Sequence, residues 1–208
     1  MNSQTEKRLI AGPAGTIECA VDRPAESAAS RGMVLICHPN PTQGGTMDNK
    51  VVQTLARAFL QLGYRTVRFN FRGVGQSEGA WDEGRGEIDD ALAVLQALRE
   101  PSEALVLAGF SFGGYIASQA ALRLADNAKA ERMVLVGPAT SRFDTAPVPA
   151  DTLVIHGEVD DVVPLSAVLD WARPQSLPVV VVPGVGHFFH GQLPLLKSLV
   201  VRNWAPAV

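Results

Sequence analysis

The sequence predicts an α/β fold, a mostly parallel sheet with helices on both faces. Three observations carry this. Short β-rich runs alternate with helical patterns along the chain, as parallel strands joined by crossover helices require. Runs such as Met33-Val34-Leu35-Ile36-Cys37 are continuously apolar, the pattern of strands buried on both faces. One run, residues 104–108, leads straight into Gly109-Phe110-Ser111-Phe112-Gly113. That is the spacing at which a strand turns sharply into a helix with a serine at the bend.

The elements follow in order. Residues 8–11 and 16–21, separated by Gly12-Pro13-Ala14-Gly15, are expected to form an N-terminal antiparallel hairpin. Residues 24–32 are small and polar, hence a loop. After the strand at 33–37, Thr46 is placed as a helix N-cap with Asp48 in the first turn. Met47, Val51, Leu55, Ala58, Phe59 and Leu62 recur at helical spacing, and Gly63 stops the helix. Residues 66–71 form the next strand, a glycine-rich loop follows, and a helix spans about 87–98. The strand at 104–108 and the serine bend open a helix to about residue 124. Strands at 133–136, 152–155 and 179–182 and helices near 165–171 and 193–203 complete the chain.

At 208 residues, 47% hydrophobic and 19% charged, the chain suits one domain, residues 1–208, with a sizeable core. A net charge of −3 argues against a nucleic-acid partner. The first eight residues carry basic groups with no apolar stretch after them, so no signal peptide is expected. No apolar run reaches the roughly 18 residues of a membrane span. Cys19 and Cys37 both fall in strand-like runs and are expected to be reduced core residues. A cytoplasmic setting, with no membrane partner, is the resulting expectation.

A serine hydroxyl is a weak nucleophile and needs a base to take its proton and an acid to orient that base. With Ser111 at such a bend, the acid and then the histidine should follow late strands. After residues 152–155 the chain reads His156-Gly157-Glu158-Val159-Asp160-Asp161-Val162-Val163-Pro164. The spacing favours Asp160 over Glu158 and Asp161, the alternative being that Asp160 only caps the next helix. After residues 179–182 comes Pro183-Gly184-Val185-Gly186-His187, which favours His187 over His190. His38 and His156 read as structural, bonded to loop backbone. No histidine pair has metal-ligand spacing, and no metal or cofactor is expected.

The charge that develops on a carbonyl oxygen needs backbone N–H donors. One is the amide of Phe112, at a helix N-terminus. The second should come from His38-Pro39-Asn40-Pro41-Thr42. Proline has no N–H, so Asn40 carries the only amide donor between His38 and Thr42. The alternative is an ordinary turn in which Asn40 makes a local side-chain bond. Gly73-Val74-Gly75-Gln76-Ser77-Glu78 has Glu78 where a dinucleotide fingerprint needs its third glycine. It reads as a tight turn instead, and Ser77 lacks a nucleophile bend. Met47, Trp81, Phe110, Phe188 and Phe189 are candidate pocket residues, with core packing as the alternative for each; Phe188 and Trp81 are favoured.

Together these residues resemble the α/β-hydrolase superfamily over nearly the whole chain. The segments His38-Pro39-Asn40-Pro41, Gly44-Gly45-Thr46-Met47-Asp48-Asn49-Lys50 and Phe69-Asn70-Phe71-Arg72-Gly73, with the serine bend, are similar to small bacterial hydrolases related to the dienelactone hydrolases. The resemblance implies a Ser111–Asp160–His187 triad. Dienelactone hydrolases proper use cysteine as nucleophile, so their lactone specificity is not carried over. Many members insert a helical lid where this chain has residues 137–151, too short a connection for one. The expected activity is that of a carboxylesterase on small soluble acyl esters. Alternatives are a thioesterase or peptidase with the same triad, or a non-catalytic ligand- or protein-binding member.

Overall fold

The computed structural model describes residues 5–24 and 30–204. Residues 25–29 of the expected loop, and residues 1–4 of the leader reading, lie outside the described residues. Strands β1 (Glu6–Gly12) and β2 (Gly15–Asp22) form the antiparallel hairpin, which closes at the Gly12–Gly15 pair. β2 pairs antiparallel with β4 (Arg65–Phe69). All other pairings are parallel, through β3 (Met33–Cys37), β5 (Leu105–Phe110), β6 (Arg132–Val136), β7 (Leu153–Gly157) and β8 (Val179–Val182). The order across the sheet is β1-β2-β4-β3-β5-β6-β7-β8. The α-helices are α1 (Lys50–Gln61), α2 (Arg85–Leu98), α3 (Phe112–Arg123), α4 (Leu165–Ala172) and α5 (Leu193–Trp204).

The unbroken apolar runs now have their physical cause. Met33, Leu35, Leu105, Leu107 and Leu135 pack with Ile88 and Val94 of α2 and Ile116 of α3. Their sequence neighbours Val34, Ile36, Val106, Ala108 and Val134 pack on the opposite face with Leu55 and Phe59 of α1 and Leu196 and Val200 of α5. Side chains alternate across a strand, so two covered faces favour apolar residues at successive positions, as in these strands. Burying each Val, Leu or Ile contributes about 1.5–3 kcal/mol.

The chain runs from β3 outward to β4, then crosses back to β5 on the other side of β3. The loops after β3 and β5 therefore diverge and leave a crevice beyond the strand ends, where open α/β sheets bind ligands.

The helix start at Thr46 is corrected. Asn49 is the N-cap of α1, its Oδ1 accepting the Val51 N–H at 2.9 Å. Thr46 instead accepts the Asp48 N–H in the turn before it. Met47 lies outside the helix, buried, its N–H bonded to Asn70 Oδ1 and its carbonyl to Arg68. Residues 137–152 contain neither helix nor strand. They are packed down on the fold: Phe143 stacks on Tyr115 of α3, and Trp171 of α4 donates to the Thr145 carbonyl at 2.9 Å. No helical lid is present among the described residues. None of their helices is long and apolar enough to cross a membrane.

Candidate active site

Ser111 sits between β5 and α3 with φ 56° and ψ −119°. A non-glycine residue held there stores about 1–3 kcal/mol of strain, and the surroundings show what holds it. Its N–H donates to the Val136 carbonyl at 2.9 Å, and its carbonyl accepts the Gly114 and Ala139 amides. The bend works only with glycine beside it. A Cβ on Gly109 would collide with the Gly113 carbonyl, and one on Gly113 would collide with the Cys37 carbonyl of β3. Phe112 is the first residue of α3, so its N–H has no partner inside the helix.

Asp160 follows β7 and His187 follows β8. His187 Nδ1 lies 2.6 Å from Asp160 Oδ2, and both side chains are almost wholly buried. The other carboxylate oxygen accepts the Val162 and Val163 amides at 2.9 and 2.7 Å. Burial pushes the Asp160 pKa up, but the His187 bond and the two amides outweigh it and hold it below the usual value. An ionised Asp160 places the proton on His187 Nδ1 and leaves Nε2 with its lone pair. The rivals are elsewhere: Glu158 is exposed and accepts the Gly184 amide, and Asp161 and His190 are exposed.

Ser111, His187 and Phe188 share a cavity of about 50 Å³ with the loop after β3, which contributes Pro39, Asn40 and Gln43. That loop is tied from inside. Buried His38 bonds the Pro39 carbonyl through Nδ1 at 2.6 Å and accepts the Phe71 N–H on Nε2 at 3.1 Å. An acceptor at Nε2 puts the proton on Nδ1, so this ring is neutral; burial lowers its pKa to about 4, with the Pro39 bond opposing. In a trans peptide the carbonyl and the next N–H point opposite ways. His38 draws the Pro39 carbonyl inward, which turns the Asn40 N–H away from it. The Asn40 side chain is engaged locally, accepting from the Thr42 N–H and hydroxyl. The expected local side-chain bond is therefore present, and it does not use the Asn40 N–H.

The pocket expectations divide. Phe188 lines the cavity. Phe110 is fully buried and packs against the His187 ring at 4.9 Å, backing it rather than facing the cavity. Phe189 is in the core. Trp81 and Met47 are corrected: Trp81 packs on Phe112 at 5.0 Å in the α2–α3 core, and Met47 is held by Asn70 and Arg68. Met47 lies in the loop before α1 and Trp81 in the loop before α2, and each packs into the fold instead of lining the cavity. His156 donates to the Val163 carbonyl at 3.0 Å, in the structural role expected for it. Ser77 is equally engaged, donating to the Asn70 carbonyl and accepting the Glu18 N–H.

Sequence reasoning missed Glu18. Its carboxylate accepts from Asn70 Nδ2 and the Gln76 N–H, filling the glycine-rich turn that would otherwise resemble an anion site. A charge in the middle of a mostly apolar run, Ile17-Glu18-Cys19-Ala20-Val21, was the available signal. Among the described residues no group of three or more His, Cys, Asp or Glu could hold a metal ion.

An eight-stranded, mostly parallel sheet with a serine at the strained turn after β5 defines a hydrolase of the α/β class. The α/β hydrolase fold family matches residues 32–151. A solved α/β serine hydrolase homologue from Coxiella burnetii is 42% identical, with a TM-score of 0.84, covering 96% of this chain and 97% of that one. One from Xanthomonas campestris, described as an α/β serine hydrolase without lid, is 39% identical with a TM-score of 0.89, covering 100% and 98%. An uncharacterized protein of Rickettsia prowazekii is 31% identical over 86% of this chain and 79% of its own length. The chain belongs to the α/β-hydrolase family. These matches carry the superfamily and not the narrower dienelactone link.

Proposed function

We propose that the protein is a serine carboxylesterase that cleaves small esters through an acyl-enzyme. The observation that carries this reading is the buried Asp160–His187 bond of 2.6 Å, beside a cavity that His187 shares with Ser111. His187 Nε2 takes the Ser111 proton as Oγ attacks the ester carbonyl. Asp160 fixes the Nδ1–H tautomer and stabilises the imidazolium. The Phe112 and Asn40 amides receive the charge on the carbonyl oxygen. His187 then gives its proton to the departing alcohol, and water, deprotonated by His187, releases the acid and restores Ser111.

The polar wall of Asn40, Gln43 and Asn49 and the narrow cavity support a short acyl group. Residues 137–152, packed on α3 and α4, support an open entrance to small, soluble substrates. Two free, buried cysteines fit a reducing, cytoplasmic setting. The test is hydrolysis of p-nitrophenyl acetate with covalent labelling by a fluorophosphonate. The wild type turns over and labels, and Ser111→Ala does neither. Equal rates for the two proteins would refute the assignment.

A further inference from the structure

We propose that the exposed ring of Phe188 is the seat of the ester's alcohol group, and that this group is apolar and preferably aromatic. The inference rests on the ester hydrolase reading and adds the side of the bond on which selectivity lies.

The first step is chemical. As the tetrahedral adduct collapses, the bond between the carbonyl carbon and the alcohol oxygen breaks. That oxygen takes the proton from His187 Nε2. The alcohol must therefore leave against His187, on the edge of the ring turned away from Asp160. The residue that flanks His187 in the cavity is Phe188, with ring centroids 5.0 Å apart and planes at 85°.

The second step is the exposure of that ring. Phe188 is 43% exposed, whereas Phe189, next in the chain, is 1% exposed. The turn that separates them is strained. Phe189 has φ 53°, its N–H returns to the Gly186 carbonyl, and its carbonyl accepts the Gln192 N–H. Bulky residues rarely adopt that conformation. Here it sends Phe189 into the core beside α5 and leaves Phe188 at the mouth of the cavity. The exposed ring is part of an aromatic surface: Phe110 supports it at 6.0 Å, edge to face, and the His190 ring lies 5.7 Å away at 36°.

The third step is contrast within the same cavity. Its other side chains include Asn40, Gln43 and Asn49, and two glycines offer bare backbone. Phe188 is the one phenyl ring among the described residues that line it. An apolar group finds complementary surface there, and ring-on-ring contact adds to the area buried.

The test uses two isomeric esters that differ only in which side carries the ring, benzyl acetate and methyl phenylacetate. Wild-type kcat/KM is expected to favour benzyl acetate. In Phe188→Ala the benzyl acetate to methyl phenylacetate ratio should fall by about tenfold, the size of a lost aromatic contact. Phe188→Leu should fall between. Taking the ratio cancels any general loss from a disturbed loop. A wild-type preference for methyl phenylacetate, or a ratio unchanged in Phe188→Ala, overturns the inference while leaving the ester reading intact. If neither ester nor p-nitrophenyl acetate is cleaved and Ser111 takes no fluorophosphonate, the ester reading itself falls and this inference with it.

Discussion

The ends of β3 and β8 are each followed by a buried histidine, and the two are bonded in opposite ways. His38, after β3, has both ring nitrogens bonded to backbone, at Pro39 and Phe71. His187, after β8, has Nδ1 bonded to a carboxylate and its other edge beside a cavity with Ser111. Both sit at strand ends on the same rim of the sheet. Burial and position do not separate the proposed base from a brace. What the second nitrogen faces does.

Four experiments can break or sharpen that contrast. The largest effect is expected for His187→Ala, which should lower kcat for p-nitrophenyl acetate by about 10⁴–10⁶-fold, as loss of a base in a coupled unit does. A loss below tenfold would move the base elsewhere. Asp160→Asn keeps the shape but favours the wrong tautomer. A fall of about 10⁴-fold is expected, read as kcat at constant thermal stability.

The third is His38→Phe, which keeps a ring against Phe71 but removes both nitrogens. With the Pro39–Asn40 peptide freed, kcat should fall by about 10²–10³-fold with KM little changed, the loss of one oxyanion donor. His38→Asn can still donate from the Nδ1 position and should keep more activity than His38→Gln. Equal rates for Asn and Gln would leave His38 as packing alone.

The smallest effect is on stability. The folded pKa of His38 is lowered to about 4, below the unfolded value near 6.5. Between these values the unfolded chain binds the extra proton, so stability is full above about pH 6.5 and falls as pH drops towards 4. The slope from this one group approaches about 1.4 kcal/mol per pH unit. Urea unfolding between pH 4.5 and 7 should show that part of the slope missing in His38→Phe.

Much of this was legible in the sequence, for identifiable reasons. Strands covered on both faces favour apolar residues at successive positions, so β3 and β5 were readable as continuous runs; β4, with buried Arg65 and Arg68, departs from that pattern. Ser111 was readable because the bend forces glycine at 109 and 113, where any Cβ meets backbone. Asp160 and His187 followed from their places after two late strands, and the structure brings them to 2.6 Å. Trp81 and Met47 were not readable, because a place in a loop says nothing about which layer a side chain enters. Nor was the pairing of buried Arg68 with buried Asp22 and exposed Asp48. Those partners lie 46 and 20 positions away in the chain, and only the pairing of β2 with β4 and the loop before α1 bring them together.

The prolines on either side of Asn40 have a consequence for spectroscopy. Neither Pro39 nor Pro41 carries an amide proton. The Asn40 N–H therefore has no amide neighbour on either side in the chain, and no sequential amide–amide contact links its signal to another. Asn40 lines the cavity together with Ser111 and His187. That one resonance reports on the cavity from within, and selective ¹⁵N-asparagine labelling would bring it into view among the few Asn signals of the chain.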